Sequence, residues 1–216
     1  SPVPPVPVHL AASDMAADLP LAVVVEDLAG AALTTAEVEA HATLFAGHLA
    51  KENLAGGWAA GMCLTASPWV PVAILGILRA GDTCVPLDPS ADPAWLEARA
   101  KEADCEFVVC DSGTAPAFTG GSRKLVVIDR DWETFSSDGA PTVEPPKTAL
   151  FLPGTPAAPA PPIAAFSPEF LGTACSRSVR LLQLGHGDRL MVPVSSPGAG
   201  MVEGVLCACL TGATAV

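Results

Sequence analysis

The chain has 216 residues, half of them apolar, and its mean hydropathy is +0.43. This length suits one well-filled domain, which would bury about 70 % of the surface of the unfolded chain. The formal net charge is −12, from 23 acidic and 11 basic residues. A field of this sign repels a phosphate backbone, so the composition excludes nucleic acid as a partner.

The seven cysteines form an odd set that contains no C-x-x-C pair. This pattern indicates neither a disulfide framework nor a zinc site. It predicts reduced, structural thiols in a cytoplasmic protein, and we expect no metal and no cofactor.

Residues 1–20 are interpreted as a Pro-rich, extended linker, because the opening SPVPPVPVHL lacks the basic start and apolar centre of a signal peptide. The apolar stretch 198–216 is interrupted by Glu203 and is rich in Gly and Ala. It therefore predicts a buried helix that runs into a strand, and we expect no contact with a membrane.

Residues 21–216 are predicted to form one α/β domain. Short apolar runs predict strands at 21–26, 58–64, 83–87, 106–110, 125–128, 148–152 and 189–194. Caps and helical spacing predict helices at 35–51, 68–78, 92–103, 168–184 and 200–210, the first with Thr34 and Glu37 as a capping box. Strands that alternate with helices indicate layered βαβ units around a mostly parallel sheet.

The stretch from Leu78 to Pro89 carries the most information. It resembles the L-K-A-G-x-x-Y-V-P-L-D-P segment of adenylation domains in non-ribosomal peptide synthetases, which belong to the adenylate-forming superfamily. Three further segments, beginning at Leu33, Gly61 and Leu210, resemble family motifs in the same order. The resemblance implies the first part of the family's large N-terminal subdomain. It also implies that the motif is structural, through Leu78, Arg79, Ala80, Gly81, Val85, Pro86, Leu87, Asp88 and Pro89.

Active members of this family carry a phosphate-gripping loop, T-S-G-[ST]-T-G-x-P-K-G, after a strand. Such a loop needs glycines, hydroxyl groups and a cation around the phosphates. The matching stretch contains Pro153, Gly154, Thr155, Pro156, Ala157, Pro159, Ala160 and Pro161. Gly154, Thr155 and Pro159 match. The other positions lose two amide donors, two hydroxyls, two glycines and the lysine, so we expect a loop that does not bind a triphosphate.

The resemblance implies a second eroded segment, since amino-acid-activating members carry F-D-x-S where this chain has Pro197, Gly198, Ala199 and Gly200. The Asp that receives the amino group of the substrate has no counterpart there. The family's adenine, ribose and magnesium motifs, and its C-terminal subdomain with the catalytic lysine, lie beyond Val216. The resemblance therefore implies a truncated domain.

Several polar residues invite other interpretations. Ser195-Ser196 and His186 suggest a hydrolase site, but no G-x-S-x-G elbow is present around the serines. This favours the interpretation of His186 as a loop histidine. His41 and His48 share a helix face without a carboxylate or Cys to complete a metal set, which favours a partly exposed helix surface. For Asp82, Asp88 and Asp92, turn and cap roles are preferred over a Mg²⁺ site.

The favoured hypothesis is a non-catalytic, truncated adenylation-like domain that acts as a structural or domain-interaction element of a non-ribosomal peptide synthetase. Its expected partner is a neighbouring synthetase domain, a condensation domain first. One alternative is a divergent fragment that activates an amino or carboxylic acid with a partner that supplies the missing residues. Another is a small-molecule binding module without ATP chemistry, for which a deep apolar cavity beside Gly198–Gly200 would be evidence.

Overall fold

The structure, a computed structural model, describes residues 8–52, 54–136, 146–152, 164–193 and 198–216, with the backbone alone for 8–10. The helices in these ranges are α1 (Val8–Asp18), α2 (Thr35–Lys51), α3 (Trp69–Arg79), α4 (Pro93–Glu102), α5 (Ile128–Asp131), α6 (Pro168–Leu182) and α7 (Ala199–Thr211). The strands are β1 (Val23–Glu26), β2 (Ala32–Thr34), β3 (Ala59–Cys63), β4 (Thr83–Pro86), β5 (Cys105–Cys110), β6 (Lys124–Val127), β7 (Leu150–Leu152), β8 (Ala164–Phe166), β9 (Arg189–Leu190) and β10 (Thr214–Ala215).

These strands form two sheets rather than the single mostly parallel sheet that the sequence predicts. The larger sheet has the order β6-β5-β3-β4-β7-β8, and all its neighbours are parallel except β7 and β8. The smaller sheet has the order β2-β1-β10-β9, in which β1 and β2 are antiparallel. The predicted α/β class with mostly parallel strands is confirmed.

Helix α3 occupies the centre of the main hydrophobic core. Every residue from Val70 to Leu78 is buried, which fits a sequence that is apolar all round the helix. Helices α2 and α7 both contact α3. Because the main core includes side chains from both sheets, α3 and its neighbours hold the two sheets as one body.

The predicted capping box at the start of α2 is confirmed. The Glu37 N–H donates to Thr34 Oγ1 at 3.3 Å, and the Thr34 N–H donates to Glu37 Oε2 at 2.8 Å. The backbone hydrogen bond from Thr34 holds the pKa of the Glu37 carboxyl below its usual range. Two orphan amides at the helix N-terminus are thereby satisfied.

The expected extended linker at 1–20 is wrong for residues 8–18, which form α1. Ala12 and Ala16 are buried, and α1 contacts α2 and α7. Alanine is the best helix former, and a small side chain lets α1 lie close to its neighbours. Residues 1–7 lie outside the described residues, and the division at residue 20 stays a prediction. Within the described ranges, no helix has the length and apolar content needed to cross a membrane.

Candidate functional site

The loop predicted to have lost phosphate binding is held by the hairpin of β7 and β8. Leu152 at the end of β7 pairs with Ala164 at the start of β8. Because β7 is parallel to β4, the loop leaves the larger sheet at the carboxyl edge of its parallel strands, where ligands bind in open α/β sheets. Residues 153–161 of this loop, like Pro197 of the second eroded segment, lie outside the described residues.

The first half of the Leu78–Pro89 motif ends α3 and turns the chain into β4. Gly81 has φ +78°, a left-handed conformation that favours glycine. The Asp82 N–H then donates to the Ile77 carbonyl at 3.1 Å. Ala80 is buried, so this turn lies within the core rather than on the surface. The motif thus fixes where β4 enters the sheet.

Arg79 ties the same turn to the two neighbouring helices. Its guanidinium donates to Glu39 Oε2 at 2.5 Å and to Thr43 Oγ1 at 3.2 Å, both on α2. It also donates to Ser13 Oγ on α1 at 3.3 Å. The Arg79 side chain is mostly buried, so these bonds are shielded from solvent.

The second half of the motif forms β4 and the turn after it. Val85, Pro86 and Leu87 are buried, and the Leu87 N–H donates to the Met62 carbonyl at 2.8 Å. Asp88 then accepts the Ser90 N–H and hydroxyl at 2.8 and 2.6 Å, and Pro89 follows within this turn. These contacts are packing and turn contacts.

The three aspartates around β4 do not form one site. Asp82 precedes β4 and Asp88 follows it, so the two lie at opposite ends of the strand. Asp92 caps α4 by accepting the Trp95 N–H at 2.9 Å. Turn and cap geometry therefore accounts for Asp88 and Asp92. Across the described ranges, no group of three or more His, Cys, Asp or Glu side chains is placed to hold a metal ion.

Asp82 lies in a turn, as the sequence suggests, and its side chain is fully buried. Its Oδ1 accepts the Gly57 and Trp58 N–H groups at 3.0 Å each, and Oδ2 has no hydrogen-bond partner. Burial raises the pKa of this carboxyl to about 7, although the backbone donors oppose the change. Through these hydrogen bonds, the carboxyl links the turn before β3 to the turn before β4.

A second buried carboxylate, Asp111, was not singled out in the sequence. Its Oδ2 accepts the Thr65 N–H and hydroxyl at 2.7 and 2.6 Å, and its Oδ1 accepts the Gly113 and Thr114 N–H groups at 3.0 and 2.8 Å. Burial alone would raise the pKa of Asp111, but the bonds from Thr65 and Thr114 lower it overall. The signal that could have found it is that Thr65 and Asp111 follow the neighbouring parallel strands β3 and β5.

Gly198, Ala199 and Gly200 lie at the start of α7, with Gly198 as its N-terminal cap residue. Gly200 borders an open groove of about 190 Å³ between α6, α7 and the segment after β9. The groove is lined mainly by apolar side chains, among them Leu182, Leu190 and Met191. Its carboxylate, Glu203, accepts the Ser178 hydroxyl at 2.5 Å. The groove is therefore mainly apolar, and its Ser178 and Glu203 side chains are already hydrogen-bonded to each other.

Two of the large apolar side chains that line this groove are exposed on the protein surface. Met191 is 85 % exposed and Leu182 is 60 % exposed. Leu181, next to Leu182 in the last turn of α6, is also exposed. Exposed apolar side chains that cluster in this way mark surfaces that contact another protein segment.

The histidines of α2 are partly exposed, as predicted, and their rings belong to an aromatic cluster. His41 lies between Trp69 and Trp132, with ring centroids 5.3 Å from each. His48 stacks on Phe135 at 4.5 Å. Burial lowers the pKa of both histidines, so they pack as neutral rings.

His186 lies in an exposed turn, with its Nδ1 at 3.3 Å from the Gly212 carbonyl. Ser195 and Ser196 lie outside the described residues. All seven cysteines are free and buried. Burial raises the pKa of five thiols to about 12, at Cys63, Cys84, Cys105, Cys110 and Cys209. These thiols are therefore poor nucleophiles.

Comparison with known proteins matches this fold and these motifs to one family. The sequence profile of the AMP-binding enzyme family matches residues 14–166. Nonribosomal peptide synthetase atnA of Emericella nidulans is 35 % identical over 105 residues, which is 48 % of this chain and 2 % of that protein. The chain thus spans a small fraction of the length of the curated relatives it matches.

Solved structures share the fold at low sequence identity. VinN in complex with 3-methylaspartate has a TM-score of 0.85 at 24 % identity, over 97 % of this chain and 60 % of that chain. The nonribosomal peptide synthetase FmoA3 has a TM-score of 0.87 at 22 % identity, over 100 % of this chain and 23 % of that chain. The fold is that of the N-terminal subdomain of adenylate-forming enzymes, and the chain belongs to the AMP-binding enzyme family.

Proposed function

We propose that this chain is a non-catalytic adenylation-like domain that acts as a structural or domain-interaction element of a nonribosomal peptide synthetase. The observation that carries the proposal is the contrast between two motifs of the same chain. The Leu78–Pro89 motif keeps the residues that build the scaffold. The loop after β7 has lost the residue types that hold phosphate.

The loop sequence supports the loss of triphosphate binding on chemical grounds. Pro153 and Pro156 have no N–H to donate, Ala157 and Pro161 disfavour the positive φ that glycine adopts, and Ala160 carries no charge. A hydrogen bond to a charged group is worth about 1.5–3 kcal/mol, which is roughly one to two orders of magnitude in affinity. The loss of several such bonds therefore removes useful affinity for ATP.

The packing supports a role for the scaffold itself. Arg79 joins three helices, and the turn through Gly81 and Asp82 joins the starts of β3 and β4. None of these contacts requires a nucleotide. A chain that keeps them folds as a stable body even when its phosphate loop is inert.

Interaction with a neighbouring domain is supported by the relatives and by the surface. The relatives named above include large peptide synthetases, and the exposed apolar side chains around the groove favour burial against another segment. We keep a condensation domain as the first candidate partner. A cytoplasmic location, expected from the free thiols, is part of the same proposal.

A small-molecule binding module is the second candidate, because an apolar groove does lie beside Gly200. Its volume of about 190 Å³ is below the roughly 300–1,000 Å³ of typical ligand pockets, and it is open rather than deep. The groove therefore favours contact with a protein segment. The other alternative, acid activation with residues from a partner, requires the partner to supply the missing cation and donors.

The test is acid-dependent exchange of labelled pyrophosphate into ATP, which reports reversible formation of an acyl-adenylate. The chain is assayed alone and with its neighbouring synthetase domains, against a mixture of amino acids and aryl acids. We expect exchange at the level of a no-enzyme blank in both cases. Exchange that appears when the neighbouring domains are added would support the partner-assisted alternative, and exchange by the chain alone would refute the proposal.

A further inference from the structure

We propose that Cys175 and Cys207 form a redox-sensitive site, at which hydrogen peroxide converts the two thiols to a disulfide that joins α6 to α7. Both cysteines are free and buried, Cys175 on α6 and Cys207 on α7. The two helices pack against each other within this chain. The site is independent of the proposed function, because it needs neither a nucleotide nor a partner domain.

Two sulfur contacts place the thiols side by side between the helices. The Cys207 thiol donates to the Cys175 carbonyl at 3.8 Å, so it reaches the opposite backbone at the residue that carries its partner. The Cys175 thiol donates to the Glu203 carbonyl at 3.9 Å, about one helical turn before Cys207. Since each thiol contacts the backbone of the opposite helix, rotation about the Cα–Cβ bonds brings the sulfur atoms together without separating the helices.

The contact between the two side chains makes Cys207 the thiol that reacts first. The hydrogen bond from the Cys175 thiol holds the pKa of Cys207 below its ordinary value, although burial and the Glu203 carboxylate oppose this change. The same bond raises the pKa of Cys175, which therefore keeps its proton. A thiolate attacks peroxide, whereas a thiol does not. Cys207 is thus the nucleophile and Cys175 the resolving thiol.

The position of Cys207 suits a very small oxidant. Its side chain lines the wall of the groove between α6 and α7, and it is buried against α6 on its other side. Hydrogen peroxide is close to water in size, so it reaches the sulfur while the two helices stay packed. The thiol contact lies between two helices of this chain and is the same whatever segment covers the groove.

The reaction balances with one molecule of hydrogen peroxide as the oxidant. The Cys207 thiolate attacks one oxygen, so that an S–O bond forms, the O–O bond breaks and the departing hydroxide takes up a proton to become water. The Cys175 sulfur then attacks the Cys207 sulfenic acid. An S–S bond forms, the S–O bond breaks, and the departing hydroxide leaves with the Cys175 proton as a second water.

The test is oxidation of the folded chain with hydrogen peroxide, followed by alkylation of the remaining thiols, tryptic digestion and mass spectrometry. We expect the peptides that carry Cys175 and Cys207 to appear as one linked species, lighter than their sum by two hydrogen atoms. Dithiothreitol should restore both thiols. Met191, which is 85 % exposed, reports the peroxide dose through its sulfoxide. The link should form at doses that leave most of Met191 unmodified.

Cys63 and Cys110 are a matched control within the same chain. They are register partners on the adjacent strands β3 and β5, so they are also neighbours. Burial raises the pKa of both thiols to about 12. Because neither forms a thiolate, both should remain fully alkylated at the dose that links Cys175 to Cys207.

Three variants assign the order of attack. Cys175→Ala removes the resolving thiol, so the sulfenic acid at Cys207 should persist and be captured by dimedone. Cys207→Ala removes the nucleophile, so Cys175 should take no dimedone and should remain alkylated. Cys209→Ala removes a buried thiol on the same helix and in the same tryptic peptide as Cys207, and it should leave the link unchanged.

Cys175 and Cys207 that stay unlinked at a dose that converts Met191 to its sulfoxide would overturn the inference. A link that involves Cys209, or one that joins two copies of the chain, would overturn it as well. These measurements are made on the parent chain, so they hold even where a variant fails to fold.

Discussion

Asp82 gives a prediction whose size follows from its environment. Burial raises the pKa of its carboxyl from 3.8 to about 7. Folding therefore favours the protonated carboxyl. The loss of stability caused by ionisation is absent below pH 3.8, grows as the pH rises and is complete above about pH 7. Each pKa unit is worth about 1.36 kcal/mol. Between pH 5.5 and pH 8.5 the carboxyl should thus reduce the free energy of unfolding by roughly 2 kcal/mol.

Asp82→Asn removes this titration while it keeps an oxygen that can accept the Gly57 and Trp58 amides. Urea unfolding of parent and variant is compared at pH 5.5 and 8.5, both above the sequence pI of about 4.5. We expect the variant to gain about 2 kcal/mol relative to the parent over this range. Asp92→Asn, which makes the same charge change at an exposed cap, is the control and should show no such gain. Parallel pH dependence of the parent and the Asp82 variant would show that the buried carboxyl does not titrate with a raised pKa.

Three further predictions concern the scaffold, each measured as the free energy of unfolding in urea. Gly76→Ala should destabilise by about 1–3 kcal/mol, because the new Cβ would overlap the fully buried Phe45 ring, whereas Gly200→Ala, with open space around its Cβ, should not destabilise. Thr34→Ala should cost about 0.5–2 kcal/mol through the lost cap, and Thr34→Ser should restore most of it. Asp111→Ala should lower the free energy of unfolding by at least about 3 kcal/mol, because it leaves several amide and hydroxyl donors without an acceptor. A loss of under about 1 kcal/mol would contradict the stabilising role of these hydrogen bonds.

The sequence predicted those helices and strands that local signals, such as caps and apolar runs, specify. The capping box at Thr34 and Glu37 fixed the start of α2, and the apolar run from Val70 to Leu78 predicted a buried helix. The strands β2 and β8 were missed, because each has three residues and no alternation can be read over that length. The partition into two sheets was missed as well, since strand pairing such as β1 with β10 depends on contacts between the ends of the chain.

The sequence predicted which residue types occupy the candidate site, but not how their side chains are arranged. The composition of the stretch 153–161 indicates its chemistry directly, because prolines have no backbone N–H and alanines have no side-chain donor or charge for a phosphate. The burial of Asp82 and the bonds of Asp111 were not predictable, since both depend on turns that the fold brings together from separate strands. The groove beside Gly200 likewise depends on how α6, α7 and β9 meet.

We propose that the loop after β7 does not hold a triphosphate, and calorimetric titration with Mg·ATP measures this binding itself. The matched control restores the loop through Pro153→Ser, Pro156→Thr, Ala157→Gly, Ala160→Lys and Pro161→Gly. We expect no binding heat for the parent at millimolar nucleotide and measurable binding for the restored variant. Saturable binding by the parent in the micromolar range, with a stabilisation of about 2.7 kcal/mol at one hundred times Kd, would contradict it.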